Sequence, residues 1–197
     1  MMQTQTTQPL YDAIFPRRGV LIDGAVALGA AFFIALCAQV AIRVPFSPVP
    51  ITGQTFGVLL VGALLGSRRG ALSVLAYLAE GAAGLPVFAG GGSGVAWLVG
   101  PTGGYLLGFV VAAWVVGRLC EQAWNRRLAG AALVMLAGNA VIYLFGLLWL
   151  ARFVGIDKVL ALGLVPFVPG DLLKIALAAP ALPLGWKLTV ETSRWHQ

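Results

Sequence analysis

The sequence predicts an all-α integral membrane protein with six transmembrane helices and both termini in the cytoplasm. Three observations carry that expectation. Of 197 residues 59% are hydrophobic and only 10% are Asp, Glu, Lys or Arg, whereas a soluble domain carries about 25% charged residues. The mean hydropathy is +0.91. The apolar runs are separated by Gly, Pro and Arg breakers, and each run of roughly 20 residues is long enough for one helical crossing. Six crossings consume roughly 120 residues, which leaves short loops and no room for a second domain. The sequence therefore divides into a cytoplasmic N-terminal segment at 1–19, a membrane domain at 20–186 and a cytoplasmic tail at 187–197.

Taken in order, the spans fall near 20–42, 53–66, 71–84, 104–119, 128–150 and 170–186. The polar run at 1–8 lacks the basic, apolar and small-residue layout of a cleaved signal, so the first span is expected to stay in the bilayer. Spans two and three fall short of about 20 residues, so they tilt little, borrow residues from flanking loops or sit where the protein is thin, and the flanking loops are expected to dip into the protein. Threading the chain through these spans puts Arg17, Arg18, Arg68, Arg69, Arg118, Arg126, Arg127, Lys187 and Arg194 on one side. Arg43, Arg152, Lys158 and Lys174 fall on the other. The richer side is cytoplasmic by the positive-inside rule. Outside, residues 44–50 (VPFSPVP) exclude helix, and the glycine clusters at 90–94 and 100–104 demand turns, so these loops suggest a lid.

The formal charge of +6 does not point to nucleic acid, because the basic residues are scattered among apolar segments. Cys37 and Cys120 have no paired spacing and His196 is the one histidine, which excludes a zinc site or disulfide framework. No P-loop, zincin or nucleophile-elbow motif is present, so ATP is not bound by a P-loop and an enzyme is not expected. Ionisable groups inside spans are costly and point to function. Asp23 reads as a boundary residue, and Glu80 as either core-facing or snorkelling. Asp171 and Lys174 are three residues apart and share a helix face. They form either a self-satisfied pair at the helix start or a site for a ligand with N–H donors and a carboxylate. Gln54 and Thr55, Thr102 and Tyr105, and Asn139 with Tyr143 at i,i+4 add neutral polar groups to the same spans. Together they suit a small polar solute with an apolar body. Ala27, Ala31 and Ala35 form a small-residue stripe that permits close helix approach.

Several stretches resemble the BioY family, the biotin-capturing S components of energy-coupling factor (ECF) transporters. They are VPFSPVPIT at 44–52 with Gln54, Thr55 and Phe56, GSRRGA at 66–71, and YLAEG at 77–81 leading into GLPVFAGG at 84–91. GPTGGYLLG at 100–108 and PFVPGDLLK at 166–174 complete the set. Gly53 departs from the pattern, where a larger apolar residue is expected, and this predicts a looser entry to span two. The resemblance implies a compact S-component bundle in a prokaryotic plasma membrane, with biotin as transported ligand, no cofactor, and docking through Ala27, Ala31 and Ala35. The implied partners are a transmembrane coupling subunit and two ATPases. Asp171 and Asn139 are expected at the ureido ring and Lys174 at either end. Arg43 is the rival cation for the valerate carboxylate. A self-sufficient transporter, and an embedded enzyme using Asp171 and Lys174, are the alternative readings.

Overall fold

A computed structural model describes residues 9–14 and 19–194, with the side chains of Ala13 and of residues 188–194 excepted. Arg17, Arg18 and His196 lie outside the described residues, and nothing is said of the Arg194 side chain. The elements are α1 (Leu10–Ile14), α2 (Val20–Gln39), β1 (Ala41–Ile42), β2 (Ile51–Thr52), α3 (Gln54–Ala82), α4 (Ala96–Val99), α5 (Gly103–Glu121), α6 (Leu128–Val154), α7 (Ile156–Gly163), α8 (Val168–Ala178) and α9 (Ala181–Arg194), with short 3-10 turns at Ala89–Gly91 and Trp124–Arg126. Among the described residues five segments are long and apolar enough to cross a membrane: α2, α3, α5, α6 and the α8–α9 run at Val168–Lys187.

The α3 segment is a hairpin. Gly66 has φ +83° and ψ 179°, a left-handed value that glycine alone adopts without strain. Past it the chain runs back along itself, so that a Cβ on Gly70 would lie 2.9 Å from the Cα of Gly62 and the Gln54 amide donates to the Tyr77 hydroxyl. In a straight helix those last two residues would stand about 35 Å apart. Its arms, 54–65 and 67–82, are about 18 and 24 Å long, matching the short second and third spans. The expected loop at 67–70 is instead helical, because one glycine makes the whole reversal. The returning arm starts at Ser67, whose backbone N–H and hydroxyl both donate to Glu121 Oε1 at 2.8 and 2.9 Å. This places a carboxylate at the positive end of the helix. On the same end Arg69 reaches Asp12 at 2.7 Å and Asp23 at 2.9 Å, tying α1 and α2 to the hairpin turn.

Helix α2 packs on the hairpin, the hairpin on α5, and α5 on α6. Ile34 and Ala38 of α2 and Val58, Val74, Ala112, Ala113 and Val134 are fully buried between them. Ala31 and Ala35 are buried too, at 0% and 6% exposure. Those small side chains let α2 lie close to its own chain: a Cβ on Gly57 would meet the Cα of Ile34 at 3.4 Å. Ala27 is half-buried near the Arg69 cluster.

Two other expectations change, at Gly53 and in the last span. The proline-rich stretch is closed at its base by a β1–β2 pair, Ala41 facing Thr52 and Ile42 facing Ile51. Gly53 tightens the entry to α3, because a Cβ there would sit 2.6 Å from the Cys37 carbonyl oxygen and its N–H donates to Val40 O at 3.0 Å. The last span is broken between α8 and α9 around Pro180, which has no N–H to donate to a helical ladder.

Candidate functional site

The hairpin, α5, α6 and α8 bring their ends together opposite the Arg69 cluster, under the loops at 43–53 and 83–102. There they line a pocket. Its walls are apolar and aromatic: Phe88, Trp97, Phe109, Ile142 and Phe167, closed by Val49 and Pro50 of the proline-rich loop. The wall is itself stacked, Phe88 lying edge-on to Tyr77 with centroids 5.5 Å apart and 6.2 Å from Trp97. Glycines make this possible, since a Cβ on Gly81 would fall 2.1 Å from the Phe88 ring and one on Gly92 2.2 Å from that of Trp97.

One end of the pocket is polar. Pro169 in the first turn of α8 starts the helix without wasting an N–H, and Asp171 follows in that same turn, 5% exposed. Its Oδ1 accepts from Lys174 Nζ at 2.8 Å and from Thr55 Oγ at 3.1 Å, and its Oδ2 from the Tyr143 hydroxyl. Lys174 also donates to Thr55 Oγ at 2.8 Å. Asp171 and Lys174 thus form a pair, as their spacing predicts, and both also line the pocket. A carboxylate accepts about four hydrogen bonds and an ammonium donates three. Three acceptor positions on Asp171 and two donors on Lys174 are occupied by the protein.

Gln54 lines the pocket with its amide fixed at both ends: Oε1 accepts from Thr52 at 2.9 Å and Nε2 donates to Tyr77. The second Nε2 hydrogen has no use in those two bonds. Tyr105 contributes its ring, while its hydroxyl donates to the Gly163 carbonyl at 2.8 Å and fastens α7 over the bundle. Tyr143 faces Asp171 from α6, as its place at i+4 from Asn139 allows. Asn139, one turn deeper, is not on this pocket. It lines a smaller cavity behind it, together with Thr55 and Lys174. Arg43 is exposed and also off the pocket wall, with its guanidinium beside Gly90, next to the lining residue Ala89. Tyr77, Thr52 and Trp97 are site residues that the sequence reading does not single out. Tyr77 lies inside YLAEG, but only the hairpin reveals that it meets Gln54. Among the described residues no cluster of His, Cys, Asp and Glu could hold a metal.

A membrane-embedded helical bundle whose one end closes over an apolar pocket with a single ionic cluster is a small-solute binding protein of the transporter class. The family model described as the BioY family matches residues 11–191, and the chain belongs to that family. It is 40% identical over 161 residues to the biotin transporter BioY of Rhizobium etli, spanning 78% of this chain and 86% of that one. To the biotin transporter BioY of Thermotoga maritima it is 45% identical over 143 residues, spanning 70% and 81%. Its fold is similar to that of the S-component for biotin from an ECF-type ABC transporter, solved by crystallography at 2.1 Å. The TM-score is 0.76 and the identity 27%, over 85% of this chain and 92% of that chain.

Proposed function

We propose that this chain captures biotin in the pocket beneath its 43–53 and 83–102 loops and serves in its uptake. The observation that carries this reading is one ionic cluster, Asp171 with Lys174, Tyr143 and Thr55, at the end of an otherwise aromatic pocket. Biotin has matching halves. Its ureido ring offers two N–H donors and one carbonyl, and its fused rings and valerate chain are apolar up to a terminal carboxylate. A ureido N–H takes the open acceptor position on Asp171, and the ureido carbonyl takes the second Nε2 hydrogen of Gln54. Lys174 holds the Asp171 carboxylate in place. The valerate then runs along Phe88 and Trp97 toward Arg43, the cation beside Gly90.

Six crossings, with each arm of α3 counted as one and both termini cytoplasmic, agree with the basic residues near α1, the hairpin turn and α9. The same arrangement opens the pocket to the outside. Uptake against a gradient needs a source of free energy, and the S-component likeness supports a coupling subunit with two ATPases as that source. Equilibrium binding of labelled biotin to the purified protein is the test. Asp171→Asn and Lys174→Ala should each weaken it by about 1–3 kcal/mol, the cost of stranding a buried charged partner. Wild-type binding in both variants would remove the cluster from the site.

A further inference from the structure

We infer that Asn139 is a positioning residue for Lys174, acting through one water held in the small cavity behind the ligand pocket. This rests on the reading of the pocket given above only for its biotin readout. The small cavity has a volume of about 10 Å³ and lies one helical turn below the ionic cluster, with Thr55, Asn139 and Lys174 as its polar lining and Leu59, Met135 and Ala178 among its apolar walls. Asn139 is 5% exposed and its Oδ1 is buried without a hydrogen bond from any protein group. An unpaired acceptor in such a place is costly. The donor that could satisfy it is on the same cavity: the ammonium of Lys174 is committed to Thr55 Oγ and Asp171 Oδ1, which leaves one N–H of three.

Asn139 Oδ1 makes no protein hydrogen bond, and the cavity it shares with Lys174, at about 10 Å³, has about the volume of a single water, which needs two to four polar partners. A water that accepts from Lys174 and donates to Asn139 Oδ1 completes both groups. The result is a chain from Asn139 through water and Lys174 to Asp171, so the orientation of the ligand-facing carboxylate is set from a layer that the ligand does not touch. It also explains why an amide stands at mid-helix in α6 without lining the ligand pocket.

A double-mutant cycle between Asn139→Leu and Lys174→Met, read by both biotin Kd and thermal midpoint, tests this. The leucine should raise Kd about tenfold when Lys174 is present and less than threefold when it is methionine. In ligand-free protein the two changes together should lower the midpoint by about 2–4 °C less than their sum, the shift expected for a coupling between neighbours in a chain of this size. Asn139→Asp, which keeps an acceptor of the same reach, should bind within threefold of wild type, and Asn139→Ser supplies a polar variant of smaller volume if the leucine does not fold. Equal losses in both lysine backgrounds, or additive midpoints, would overturn the inference. Coupled midpoints in a protein that binds no biotin at all would uphold it while refuting the biotin reading.

Discussion

Asp171 shows how much a residue's role depends on its neighbours. Its spacing from Lys174 is visible in the sequence and allows either a closed pair or a ligand site. In the structure the carboxylate is paired and still borders the pocket. Thr55 and Tyr143 reach it from separate helices over 116 and 28 residues of sequence, and no local pattern encodes such a meeting. Tyr143→Phe should therefore weaken biotin binding by about 1.5–3 kcal/mol, the range for a hydrogen bond to a charged group. Calorimetric titration would measure it. Tyr105→Phe, by contrast, should act on stability, since that hydroxyl is spent on the Gly163 carbonyl. Arg43 and Asn139 show where residue-level reading falls short. Both have suitable chemistry, but one lies outside the pocket wall and the other behind it, and only packing decides that.

Among the elements, α5 and α6 were the most legible: expected at 104–119 and 128–150, they occupy Gly103–Glu121 and Leu128–Val154. Long apolar runs with clear breakers fix themselves. The hairpin was legible as two short spans, although its turn was not, because a single positive-φ glycine leaves no signal beyond the glycine itself. Gly66→Ala should lower the thermal midpoint sharply: the site combines φ +83° with a Cβ position 2.6 Å from Pro9 Cγ and 2.8 Å from Glu121 Oε1. The spacing of Ala27, Ala31 and Ala35 permits close helix approach, the resemblance implies docking there, and a close-approach motif serves a neighbour within the chain as readily as a partner. Since Ala31 is fully buried, Ala31→Trp should overpack the α2–α3 contact and reduce folded yield and biotin binding together. Size-exclusion profiles and binding assays on the same preparation would show it. Retained binding would mean that α2 shifts to make room.

At the scale of the molecule, the two ends of the bundle differ in kind. One holds the Arg69 cluster with Asp12 and Asp23 and the Glu121 cap, the other the pocket and its glycine- and proline-rich cover. The orientation proposed for them predicts that Ser93→Cys, on the exposed cover, is labelled from outside intact cells by an impermeant thiol reagent, and that Gln122→Cys is labelled only after lysis. Reversed labelling would invert the molecule. The class of fold could be read from composition, but the division of labour between the ends needed the packing that sets Asp171 against an aromatic wall. The central claim is that this polar end grips the ureido ring, and competition against labelled biotin tests it most directly. The ring-opened diamine analogue should compete at least about tenfold more weakly than biotin with the wild-type protein, and that preference should shrink in Asp171→Asn. Equal competition by the diamine and by biotin in the wild-type protein would contradict it.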